Sequence, residues 1–232
     1  MNKNLAEVLY VKVGQVTTTV LENNARKELV SGIKKTPVQK AYLTKTGFNT
    51  DAQGDLLHHG GENKALFCMG VKTYQGINAL CQTSFAYDEV AHFGENLILS
   101  NVGEKDICVG DVYDIGETRV QVTQPRQPCW KLSANTQVKT MTKQIFQSGL
   151  TGWYCKVLKE GEIRANDTMK LIQREYPVLT IELLNKLIVN PMVSEANTQE
   201  ALVCEVLGLA FKTSLQKRYD SKGNDDQFAY QR

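Results

Sequence analysis

The chain is poor in histidine, with three in 232 residues (His58, His59 and His92), and its six cysteines include no Cys-x-x-Cys pair. The cysteines stand at 68, 81, 108, 129, 155 and 204, at intervals that do not repeat. Zinc ribbons, thioredoxin-like sites and disulfide frameworks need paired or regularly spaced cysteines, so none is supported. Most of the six are expected to be core residues. No Gly-x-Gly-x-x-Gly or Walker-type loop occurs, which leaves nucleotide-fold readings without support. Flavin, haem and iron–sulfur motifs are missing as well. No run of Lys or Arg exceeds two residues and the net charge is +2, so the basic stripe of a nucleic-acid binder is absent. No stretch approaches membrane-spanning length, and the opening Met-Asn-Lys-Asn-Leu-Ala-Glu has no apolar targeting core. A cytoplasmic protein with neither membrane nor nucleic-acid partners is expected.

What is present is an ordinary globular composition, 42% hydrophobic and 22% charged, long enough for one large domain and a small appendage. Short strand-like runs recur at Val8–Val13, Asn96–Leu99, Asp111–Ile115, Arg119–Thr123, Trp153–Leu158 and Thr168–Ile172. A turn over Gly116–Thr118 would join two of them as a hairpin, and Lys34-Lys-Thr-Pro37 reads as a break between two extended segments. Ala65–Leu80 has helical spacing, and Thr142–Gln147 reads as a short helix ended by Gly149. Many short strands with one or two helices predict a mainly β, α+β fold with a closed or nearly closed barrel. From Tyr176 the spacing turns helical. Leu179, Leu183, Leu184, Leu187 and Ile188 mark one helix. Asn197 with Glu200 resembles a second helix start, which Gly208 would end, and a third helix is expected over Lys212–Tyr219. The predicted organisation is a barrel over 1–175, three helices over 176–219 and a disordered tail over 220–232.

The chemistry concentrates in Gln124-Pro-Arg-Gln-Pro-Cys-Trp-Lys-Leu132. Pro125 and Pro128 fix their own φ angles and bias the residues before them away from helix, so this segment should be held extended. Cys129 then stands between Arg126 and Lys131, a setting that favours thiolate, the form that attacks electrophiles and binds soft metals. The competing reading is a buried small hydrophobe. In His58-His59-Gly60-Gly61 the adjacent histidines point to opposite sides of an extended chain and make a poor chelate. Gly60 and Gly61 permit a loop whose N–H groups close on an anion, with Lys64 within reach; a plain solvated turn is the alternative. Phe93-Gly-Glu-Asn-Leu97 reads as a tight turn that orients Asn96, with Glu95 in solvent. Trp153 and Tyr154 are expected to pack in the barrel.

Together these motifs resemble the YiiM-like branch of the MOSC family (molybdenum cofactor sulfurase C-terminal domain). The resemblance rests on Gln124–Leu132, Asp55–Ala65, Phe93–Leu97 and Gly152–Tyr154, in that order, and on the terminal helices. It implies a β-barrel-like fold with a three-helix extension, and the molybdenum cofactor (Mo-molybdopterin). Cys129 would be the thiolate on molybdenum. Arg126, Lys131, Lys64, Gly60, Gly61, His58, His59 and Asn96 would hold the cofactor, and His59 would be the catalytic proton donor, although sequence alone does not choose between the two histidines. The implied reaction is two-electron reduction of N-hydroxylated compounds, including N-hydroxylated purine bases such as 6-hydroxylaminopurine, to the amine. Electrons would come from a separate flavoprotein. The alternative is a sulfur carrier that holds persulfide on Cys129 for metal–sulfur cluster assembly. A weaker third is a cofactor-binding module whose helices recruit a partner or form a homodimer.

Overall fold

The computed structural model describes residues 3–22, 26–54 and 60–222. Seven strands close into a barrel: β1 (Lys3–Val13), β7 (Leu66–Gly70), β8 (Leu97–Leu99), β9 (Val112–Ile115), β10 (Thr118–Pro125), β11 (Trp153–Lys159) and β13 (Thr168–Gln173). Their order is β13-β9-β10-β11-β7-β8-β1, and β1 pairs back onto β13. Closure removes the exposed edges that an open sheet would present. All these pairings are antiparallel except β7 with β8. The β9–β10 hairpin turns over Gly116 at φ +55°, a backbone that favours glycine. The remaining strands form flaps on the barrel. β2 (Thr17–Val20) pairs with β3 (Glu28–Ser31), β4 (Thr36–Val38) extends the barrel sheet beside β1, and β5 (Lys40–Thr44) pairs with β6 (Gly47–Phe48) and β12 (Gly161–Arg164).

The barrel interior is filled by Val8, Val11, Leu66, Leu97, Val120, Val122, Trp153 and Val157, with Cys68 and Cys155 among them. The predicted helix over Ala65–Leu80 is half wrong. Its first part is strand β7, Leu-Phe-Cys-Met-Gly, buried on both faces, and the helix α1 runs from Val71 to Cys81. A strand covered on both sides carries no alternation, so its apolar run imitates a buried helix. Gly70 marks the switch: a Cβ there would lie 1.9 Å from the Val102 carbonyl oxygen.

Two helices follow the cysteine motif. α2 (Trp130–Thr136) was not expected, and α3 (Met141–Ser148) ends at Gly149 with φ +74°. The C-terminal helices are α4 (Ile181–Val189), α5 (Glu195–Val203) and α6 (Leu209–Asp220). Two of the expected end signals are displaced. Ser194, not Asn197, caps α5 by accepting from the Asn197 N–H, and Gly208 precedes α6 instead of ending α5. Leu184, Leu187, Ala201, Phe211 and Leu215 form a core that also takes in Val109 and Phe146. Backbone bonds stitch this layer to the barrel side, from Ile181 N to Ile107 O at 2.9 Å and from Gly208 N to Thr123 O at 3.1 Å. The expected tail lies, from residue 223, outside the described residues. Among the described residues no helix is long and apolar enough to cross a membrane.

Candidate active site

β10 carries the chain to Pro125, and the next four residues leave the barrel rim without regular structure before α2 begins. Cys129 sits at this junction in an extended conformation (φ −127°, ψ 168°) as the N-cap of α2, one residue past Pro128, which holds Gln127 before it extended. Its carbonyl accepts from Leu132 N at 3.0 Å and from Thr142 Oγ1 at 2.9 Å, so the helix that follows it and α3 both fix its backbone. The side chain is half-buried and faces a cleft. Arg126, Lys131, Lys64 and Asn96 line that cleft with it. Three separate chain segments that the sequence had singled out, at Lys64, Asn96 and Arg126–Lys131, thus meet at one cleft.

The cations differ in how they are held. Arg126 is buried, at 5% exposure. Its N–H donates to Gly152 O at 3.2 Å, and its guanidinium stacks over Phe67 at 5.8 Å, beside the Tyr154 phenol. Gly152 (φ +68°) comes so close to β7 that a Cβ would lie 2.5 Å from Cys68 O, which explains glycine before Trp153-Tyr154. Lys131 donates from Nζ to the Val30 carbonyl of β3 at 3.0 Å. Lys64 ends a 3-10 turn over Glu62–Lys64. Trp130, the first residue of α2, is turned out of the cleft lining and lies under Arg26, 4.5 Å from the guanidinium carbon.

Behind the wall lie two buried ion pairs. Lys12 Nζ bonds Glu95 Oε1 at 2.8 Å with both side chains fully buried, and Tyr74 Oη donates to the same carboxylate at 2.6 Å. Glu95 is therefore not in solvent as expected: it closes the Phe93–Leu97 turn from inside, accepting from Phe93 N at 3.2 Å. Asn96 does line the cleft, but its amide is engaged by the fold. It donates to Lys12 O at 3.2 Å and Asp51 Oδ2 at 2.9 Å, and accepts from Phe67 N at 3.2 Å. Asp51 also pairs with Lys35 and accepts from Gly14 N at 2.9 Å. Lys35, unnoticed in the sequence because Lys34-Lys-Thr-Pro37 reads as a break, reaches the cleft wall. Burial pulls its ammonium below the ordinary lysine value, and Asp51 opposes that pull.

Tyr154 was expected in the barrel beside Trp153. Trp153 is there, fully buried, while Tyr154, the next residue in the alternation, lines the cleft. Burial holds its phenol above the ordinary tyrosine value, although Arg126 pulls the other way. Gly60 and Gly61 are not cleft-lining residues. Gly61 (φ +93°) borders a neighbouring groove with Gln53 and Gly47. His58 and His59 lie outside the described residues.

Residues 55–170 match the family described as MOSC domain, half of the chain. This chain belongs to the MOSC family. YflK of Bacillus subtilis is 31% identical over 221 residues, covering 95% of this chain and 97% of that protein. The crystal structure of YiiM from Geobacillus stearothermophilus superposes with a TM-score of 0.73 at 28% identity, over 92% of this chain and 98% of that one. The chain is thus a YiiM-like MOSC protein. A protein of Gibberella moniliformis named Reductase shares 32% identity over 120 residues, 51% of this chain but only 21% of that longer protein.

Proposed function

We propose that this MOSC protein is a molybdenum-cofactor-dependent reductase of N-hydroxylated compounds, with Cys129 as the protein ligand to molybdenum. The observation that carries the reading is one half-buried thiol sharing a cleft with four cations, Lys35, Lys64, Arg126 and Lys131, and with no carboxylate among the described lining residues. Such a wall suits a ligand that is both anionic and soft. Cys129 belongs to no group of three Cys, His, Asp or Glu able to hold a metal among the described residues. A bare ion would therefore find one protein donor there, whereas a metal that brings two dithiolene sulfurs needs only one more soft ligand. The residues fit the group. Arg126, Lys131 and Lys64 would hold its anionic parts, arginine being suited to a bidentate grip on phosphate.

When bound, the cofactor supplies the two-electron reduction that turns N–OH into N–H. The protein's part is to hold the anion, exclude water with Phe67, Phe93 and Tyr154, and deliver protons. His59 remains our proposal as a proton donor, and a separate flavoprotein as the electron source. The relative named Reductase supports an enzymatic role in the family.

The test is reduction of 6-hydroxylaminopurine to adenine by anaerobically purified protein and a chemical reductant. Wild type should turn over and Cys129→Ser should fall to background while remaining folded. Full activity in the variant would remove Cys129 from the reaction. Persulfide on Cys129 in protein free of molybdenum would favour sulfur transfer.

A further inference from the structure

We propose that Lys35 is a proton donor of the cleft, delivering the proton that lets the N–O bond break; this rests on the reductase reading above. Lys35 comes from the segment between β3 and β4, far in sequence from the cysteine motif, yet it lines the same cleft as Cys129. Its side chain is only 6% exposed, so the ammonium is held by the fold and not by solvent. Asp51 fixes it. That carboxylate is itself fixed by Gly14 N and Asn96 Nδ2, each at 2.9 Å. A buried ammonium anchored on an immobilised carboxylate has one direction and little rotamer freedom, which is what general acid catalysis requires.

Three neighbouring groups are poorer donors. Arg126 does not release a proton in proteins. Lys131 is directed at the Val30 carbonyl. The Tyr154 phenol is shifted upward by burial, which makes it a weaker acid. Lys35 moves the opposite way. Burial lowers it from 10.5, while Asp51 and then Glu95 hold it up; Lys12 is paired with Glu95. A lysine depressed in this way gives up its proton more readily than one in water and regains it from solvent.

The step balances as R–NHOH + 2e⁻ + 2H⁺ → R–NH₂ + H₂O, with both electrons from the external reductant. Lys35 Nζ gives one proton to the hydroxyl oxygen, the N–O bond breaks, and water leaves. The nitrogen takes the second proton, the one left to His59 as proposed above, and Lys35, now a neutral amine, is reprotonated from solvent. A donor must start protonated, so the rate is full at low pH and falls as pH rises through the Lys35 value. Because that value is lowered, the fall comes below 10.5.

The experiment measures rate against pH for loaded wild type, Lys35→Met and Asp51→Asn, with molybdenum per chain determined in each. In parallel, acylation of Lys35 Nζ against pH is followed by peptide mass mapping, which needs no turnover. We expect Lys35→Met to keep its metal and lose about 100-fold or more in rate. Asp51→Asn removes a contribution that raises the Lys35 value, so the alkaline fall should move to lower pH. Acylation of Lys35 should reach its midpoint below that of surface lysines. The proposal is overturned by a loaded Lys35→Met within about threefold of wild type, by an alkaline fall that Asp51→Asn leaves in place, or by a Lys35 midpoint at or above that of surface lysines. Loss of metal in Lys35→Met would make it a cofactor-holding residue and likewise overturn the donor role. A wild type that carries no molybdenum or does not turn over fails the reductase reading itself, and the donor role with it; a low acylation midpoint would then show that the failure lies in the reaction assigned and not in the amine.

Discussion

Cys155 lies within the pairing of β10 with β11 and Cys129 lies just past its end, and their surroundings are opposite. Cys155 lies inside the barrel at 1% exposure against Cys68, and that contact, followed by burial, pushes its thiol well above the ordinary value. Cys108 behaves in the same way, its thiol pushed up to about 11 by burial and by Asp111. Cys129 stands past the last residue of β10, half-buried, with cations on the walls around it. The difference is one of position and not of residue type. Alternation within a strand delivers a side chain either to the packed interior or to the outside, whereas the proline-stiffened exit from β10 presents Cys129 at the rim. A thiol in the core acts as a small hydrophobe; one at a cationic rim can act as a ligand.

The largest effect that would sharpen this contrast is on activity. Cys129→Ser should abolish hydroxylamine reduction, whereas Cys155→Ser should retain it in whatever fraction is folded. Next comes stability in the wall behind the cleft. Lys12→Met or Glu95→Gln leaves one member of a fully buried pair without its partner, and either should cost about 3–5 kcal/mol in denaturant unfolding. A loss below about 1 kcal/mol would mean that the pair is not the brace described here. Cys155→Ser puts a hydroxyl into the barrel core and should cost about 1–3 kcal/mol. The smallest change belongs to Lys131→Gln. It removes a partly solvated cation and one bond to Val30 O, so stability should move by less than about 1 kcal/mol. Phosphate affinity of the cleft, read by calorimetry at low and high salt, should fall, more so at low salt.

Much of the barrel was legible because alternating strands such as β9 to β11 announce which face is buried, and Gly116 marks their turn. Strand β7 was not, since burial on both faces erases the alternation. Helix α2 was hidden because it has seven residues and follows two prolines, signals that read as extended chain. The site was legible where its residues cluster in sequence, at Arg126, Cys129 and Lys131. Lys35, Asp51 and Tyr154 escaped because their meaning arises only when barrel closure brings separate loops together. Glu95 escaped for another reason: a charged residue beside glycine in a turn is ordinarily solvated, and only the buried Lys12 of β1 makes its burial affordable.

The most direct measurement is molybdenum per chain after anaerobic purification from a cofactor-producing host, with wild type, Cys129→Ser and Cys155→Ser side by side. Cofactor supply is controlled by a known molybdoenzyme from the same cells. Near-stoichiometric metal is expected in wild type and in folded Cys155→Ser, and loss of metal in Cys129→Ser. Equal metal in all three would contradict the ligand role of Cys129, and no metal in any of them would contradict the cofactor reading as a whole.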